Sequence, residues 1–133
     1  MLKRHPAIEI WNDRAIRVGD KWDKAISKEL ETADIILLLV SPRFLASKYI
    51  YDVEIKRAFE RDDDENDHVC VIPIFLKPCQ WQDEGRIQAI QGIPRDGKAV
   101  TEFDDLDTPL AAIAKEIRDI VPAVQREKIK LNP

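Results

Sequence analysis

The side chains able to do chemistry gather in two segments. Glu54 lies in a stretch whose apolar residues Tyr51, Ile55, Ala58 and Phe59 recur at i, i+4, i+7 and i+8, the spacing of a helix with one buried stripe. At ~3.6 residues per turn Glu54 falls about 85° from the centre of that stripe, at the border of the buried face. A carboxylate there can stabilise a developing positive charge. It can equally be a surface glutamate paired with Arg57 or Arg61. Ser41 follows the longest apolar run, Ile35 to Val40, and precedes Pro42, the pattern of a helix cap with proline in the first turn. In the other segment, Trp11 closes a short apolar–polar alternation, where an aromatic can flank a planar ring or pack in the core. Asp13 can cap its loop or face a site. Arg14 and Arg17 precede Gly19 and can meet an anion such as a pyrophosphate, or contact another protein.

Other reactive side chains are set aside. Cys79 has no histidine or other base near it in the sequence, which argues against a nucleophile there. No metal-ligand spacing links Cys70 or Cys79 to His5 or His68, so both read as reduced thiols. The acidic run Asp62 to Asp67 lacks the glycine and glutamate of a calcium-binding loop and reads as a solvated connection. Trp22 reads as a core residue on the inner face of its expected helix. Trp81 reads as a lid over the end of the sheet.

These residues need a scaffold. Ala7 to Trp11 reads as a strand, and Asp20 can cap a helix with apolar positions Trp22, Ala25, Ile26, Leu30 and Ala33. Ile35 to Val40 is apolar on both faces and too short for a buried helix. Such a strand is expected to be covered on both sides, as in a parallel sheet. A short turn through Phe44 to Ala46 and a helix from about Lys48 to Arg61, capped by Ser47, follow. Val69 to Leu76 is a second apolar strand, and Pro73 places it near an edge or at a bulge. Lys77 to Gly97 is irregular, Lys98 to Val100 reads as a last short strand, and Leu110 to Val121 as a closing helix limited by Pro122. The alternation predicts an α/β fold, a parallel sheet with helices on both faces. Ligands of such sheets bind beyond the carboxyl ends of the strands, which directs attention to Ser41 onward and to the loop after Trp11.

The bulk properties narrow the class. The 133 residues suit one domain, with 35% charged and 44% hydrophobic residues and a net charge of −4. That charge argues against a nucleic-acid partner. An apolar run of six residues is far short of the roughly 20 needed to span a membrane, and the first residues lack a signal-peptide core. A cytoplasmic protein is expected.

Three segments together resemble a Toll/interleukin receptor (TIR) domain of the bacterial type. They are Ile10 to Trp22; Ala33 to Val40 with Ser41-Pro42-Arg43-Phe44-Leu45-Ala46-Ser47-Lys48-Tyr49 and on to Glu54; and Val71 to Ile74 with Lys77-Pro78-Cys79-Gln80-Trp81 and Pro94 to Lys98. The resemblance covers roughly Ile8 to Val121. It implies the flavodoxin-like TIR fold, a signalling role, assembly with other TIR domains, and cleavage of NAD as a substrate at its nicotinamide–ribose bond, with no cofactor. Glu54 matches the family's catalytic position. Trp11, Asp13, Arg14, Arg17, Ser41 and Tyr49 fall on the ligand-side segments. Innate immunity is the setting the family implies.

The family normally opens with a strand, a Ser- and Asp-containing loop and a first helix, which the resemblance does not find here. Residues 1–121 are therefore expected to form an N-terminally truncated TIR domain lacking its first strand and helix, with 122–133 a charged tail or the start of a linker. The missing strand would be central in the order 2-1-3-4-5. A fragment, direct pairing of the flanking strands, and a strand supplied by a partner chain are the alternatives. A non-catalytic adaptor working only through TIR–TIR contact is the competing function. A phospho-receiver lacks its acceptor aspartate, since Ser41 stands at the strand end. A deoxyribosyltransferase-like enzyme would also use a glutamate but leaves the Trp11–Gly19 loop unexplained.

Overall fold

The computed structural model describes residues 28–47 and 54–131. Residues 28–32 are helical and lead directly into β1 (Ile35–Val40). Next come α1 (Pro42–Ala46), α2 (Lys56–Asp63), β2 (Cys70–Phe75), a 3-10 turn (Trp81–Asp83), α3 (Gly85–Gln88), a second 3-10 turn (Val100–Glu102) and α4 (Asp107–Leu131). The expected strand Ala7 to Trp11 lies outside the described residues.

β1 and β2 pair in parallel, with Ile36 beside Val71, Leu38 beside Pro73 and Val40 beside Phe75. One face carries Ile36, Leu38, Val40, Val71 and Phe75, packed with Ile55, Ala58, Phe59 and Ile87. The expected stripe on α2 is thus correct for Ile55, Ala58 and Phe59; Tyr51 lies outside the described residues. Leu30 and Ala33 also pack on this face. The opposite face carries Ile72 and Ile74 against Ile93, Val100, Ile113 and Ile117, so α4 covers β2.

The expectation that β1 is covered on both sides is corrected here. Leu37 and Leu39, which neighbour the buried Ile72 and Ile74, are 40% and 50% exposed. Among the described residues, α4 lies over β2 and does not extend over Leu37 and Leu39.

Pro73 explains the far side of β2. Its missing N–H falls where the only neighbour among the described residues is Ile93, through a single bridge. Ile93 donates its N–H to the Pro73 carbonyl at 2.9 Å and accepts from Phe75 N–H at 2.9 Å. No ladder bond is lost, and the edge assignment holds.

Two further expectations are corrected. Lys98 to Val100 is not a strand, because the Glu102 carboxylate accepts from Ala99 N–H at 2.9 Å and the chain turns at Val100–Glu102. The closing helix does not stop at Pro122 but runs from Asp107 to Leu131. Val121 is the last residue of its buried stripe, and Pro122 itself is exposed.

The amino ends of the strands are closed by a buried cation. Arg61, 3% exposed, grips Asp67 with two hydrogen bonds of 2.8 Å and donates to the carbonyls of Leu30 at 2.8 Å and Ala33 at 2.7 Å.

Candidate functional site at the carboxyl end of the sheet

The carboxyl ends of β1 and β2 deliver Ser41 and Leu76 to the same rim, where Leu76 N–H bonds the Val40 carbonyl at 3.0 Å. Ser41 is extended (φ −155°), and its Oγ accepts from Phe44 N–H at 3.2 Å. With Pro42 at the first helical position, it caps α1 as its spacing predicts. Whatever else this hydroxyl does, its oxygen is first a helix cap.

Glu54 is half-buried and immediately precedes Ile55, which is 4% exposed and anchors the start of α2. The carboxylate therefore stands at the border of the buried face, as the helical spacing requires. The two cations weighed as its surface partners each also meet another carboxylate. Arg57 forms an ion pair with Glu31, and Arg61 holds Asp67. The Arg57 guanidinium lowers the Glu31 carboxyl below its ordinary value. Trp11, Asp13, Arg14, Arg17 and Tyr49 lie outside the described residues. Of the seven candidates, the structure describes Ser41 and Glu54 alone.

Beyond β2, Trp81 stacks on Phe75 with centroids 4.3 Å apart and planes 24° from parallel. Its other side meets Gly97, whose φ of +80° suits glycine, and where a Cβ would stand 3.0 Å from the indole. Trp81 thus lies against both Phe75 of β2 and the loop at Gly97. Beside it is a cavity of about 420 Å³ lined in part by Gln88, Gln91, Gly92, Arg95 and Asp96. A second, of about 530 Å³, lies between α2 and α3, lined in part by Ile55, Lys56, Phe59 and Arg86. Neither is lined by Ser41 or Glu54. Arg86 covers Phe59 at 4.6 Å from the ring centre and pairs with Asp63 at 2.8 Å, a contact that sequence reasoning missed.

Burial pushes the Cys70 and Cys79 thiols above their ordinary range. That favours the protonated, less nucleophilic form. Among the described residues no cluster of histidine, cysteine or carboxylate could hold a metal ion. Among them, too, no helix is long and apolar enough to cross a membrane.

Comparison with known proteins agrees with this architecture. The sequence model of the TIR domain family matches residues 1–107. The uncharacterised protein y4lF of Sinorhizobium fredii (strain NBRC 101917 / NGR234) is 43% identical over 126 residues. The match takes in 95% of this chain but only 38% of that relative. No solved structure matches the chain. The parallel strands, the helices on both faces and the family match lead to one assignment: the chain belongs to the TIR domain family of signalling modules.

Proposed function

We propose that this TIR module cleaves NAD at the bond between nicotinamide and ribose when assembled with further copies, with Glu54 as the catalytic carboxylate. The observation that carries this reading is the position of Glu54, half-buried at the start of α2 and one residue before the buried Ile55. Packing of Ile55 limits the freedom of the adjacent backbone, so a carboxylate there can be aimed rather than left to wander.

The chemistry asks little of the protein. Nicotinamide leaves with the bonding electron pair, which neutralises its pyridinium nitrogen, so no general acid is needed. Positive charge develops on the ribose as in other glycosyl transfers. A carboxylate near the ribose hydroxyls stabilises that charge. Water adds to the anomeric carbon and releases one proton, giving ADP-ribose and nicotinamide. Attack by a group of the ADP-ribose itself would instead give a cyclic product.

The competing reading is a non-catalytic adaptor acting through TIR–TIR contact, which the family match accommodates equally. The separating experiment is incubation with NAD under crowded, assembly-promoting conditions, following nicotinamide by chromatography. Release by the wild type and its loss in Glu54→Ala support the enzyme. No release by an assembled wild type leaves the adaptor.

A further inference from the structure

We infer that Arg57 is a positioning residue: through its ion pair with Glu31 it fixes how α2 is turned about its axis, and so where the Glu54 carboxylate points. The role rests on the catalytic reading of Glu54 given above. Residues 54 and 55 form a wide π-type turn that runs into the regular helix at Lys56. Turns of this kind recur at functional sites. Among the described residues no side chain caps this start, and the first turn carries no acidic residue. The usual local devices that fix the entry of a helix are thus missing.

Contacts outside the helix must then set the direction of Glu54. Ile55, Ala58 and Phe59 press the apolar stripe of α2 onto the sheet. Apolar packing is non-directional, so it sets the depth of the helix more firmly than its rotation. Rotation is held by directional bonds on one flank. Glu54, Arg57 and Arg61 stand at i, i+3 and i+7, along one side of the helix. Arg57 engages the Glu31 carboxylate with two hydrogen bonds, Nε to Oε2, and Nη2 to Oε1 at 2.6 Å. Arg61 donates to the carbonyls of Leu30 at 2.8 Å and Ala33 at 2.7 Å. Two successive turns of α2 are therefore bonded to the same short stretch before β1.

The two arginines differ in what they hold. Arg61 is buried, so its loss disturbs folding first. Arg57 and Glu31 are 42% and 48% exposed, and such a pair contributes little to stability. A two-bonded guanidinium–carboxylate pair nevertheless fixes the relative orientation of its partners. Arg57 is one turn from Glu54, so any rotation that it allows passes directly to that carboxylate. A shift of ~1 Å in a reacting group can cost roughly 100-fold in rate. A pair of small value to the fold can thus be of large value to the site.

The test measures kcat and KM for NAD cleavage by the assembled wild type, Arg57→Ala, Glu31→Ala and the swapped pair Glu31→Arg/Arg57→Glu. Unfolding midpoints and sedimentation are read on the same samples. Each alanine variant is expected to lower kcat about 10-fold, with KM within about 2-fold and the midpoint nearly unchanged. The swap rebuilds the pair in reverse and is expected to bring kcat back to within about 3-fold of the wild type. Lys115→Ala, which breaks an exposed pair with Asp119 on α4, is expected to leave kcat unchanged. An equal fall in Lys115→Ala, or no recovery in the swap, overturns the inference. A rise in KM alone overturns it in favour of a ligand contact, and a fall in kcat that follows lost assembly in favour of a contact between copies. Unchanged kcat in both alanine variants of an active wild type overturns it and leaves the reading of Glu54 standing. No cleavage by the assembled wild type overturns both.

Discussion

Arg61 and Asp67 form a two-bonded pair at 2.8 Å in which the guanidinium is almost wholly enclosed, and its remaining N–H groups hold the carbonyls of Leu30 and Ala33. Three partners, the farthest of them 31 residues away in sequence, meet on one cation.

Removing that cation is expected to be costly. Arg61→Ala leaves a carboxylate and two carbonyls without their donor, and it is expected to lower stability by about 3 kcal/mol, the range for breaking a buried pair. Arg61→Lys recovers only part, since an ammonium cannot match the forked geometry. Urea unfolding of the two variants measures both effects.

The same pair sets an acid limit. Hydrogen bonds from Arg61 lead, aided by the His68 and Val69 amides and opposed by burial, in bringing the Asp67 carboxyl down from 3.8 to about 2. A carboxyl whose folded value is depressed stabilises the fold above its unfolded value and loses that contribution as pH falls through the folded one. Stability is expected to drop between about pH 4 and pH 2. In Asp67→Asn this component is absent, and a urea midpoint series across that interval will show a flatter profile.

Gly92 is held by sterics. A Cβ there would lie 2.5 Å from the Phe75 ring and 2.9 Å from the Pro73 carbonyl oxygen. Gly92→Ala is expected to cost about 1–3 kcal/mol, the range for overpacking a closed site, and to disturb the Phe75–Trp81 stack. Thermal unfolding with tryptophan fluorescence reads both.

Ser41 can be separated into cap and ligand roles. Ser41→Ala is expected to lower stability by about 1 kcal/mol through loss of the cap. Ser41→Asp keeps a capping oxygen and is expected to retain most of that stability. If NAD cleavage falls in Ser41→Asp while folding is kept, the hydroxyl also serves the ligand. Unfolding curves and nicotinamide release on the same samples distinguish the two.

Pro122→Ala is expected to raise helicity by circular dichroism and stability by up to about 3 kcal/mol, because it restores an intrahelical bond in α4. A smaller gain is expected if the exposed last turns already fray.

Much of the fold was legible from short-range pattern. Six apolar residues between Asp34 and Ser41 gave β1 its bounds, and Ser41-Pro42 gave the cap. The limits came from long-range partners. The exposed Leu37 and Leu39 reflect where a helix about seventy residues downstream lands, which no local window contains. Arg61 was read as a surface partner for Glu54, although it follows the buried Ala58 by three residues and so shares its face. That spacing was the missed signal. The run Asp62 to Asp67 was read as solvated throughout, but its last member partners Arg61. Of the candidate site, the structure describes two residues, Glu54, half-buried at the start of α2, and Ser41, the cap of α1. The two cavities were not anticipated, since Gly92 and Arg86 acquire their neighbours only through folding.

The Arg61 junction also divides the molecule by mobility. It ties the amino ends of both strands to α2 and to the helical segment before β1, so this end can open only when several elements part together. The carboxyl rim is joined by caps, a stacked indole and single backbone bonds, which can break one at a time. Fluctuations should therefore be graded along the strands, with cooperative, rare openings at the Arg61 end and frequent small ones around Ser41 and Trp81. A module of this build can change shape at its carboxyl rim while the far end keeps the sheet in register.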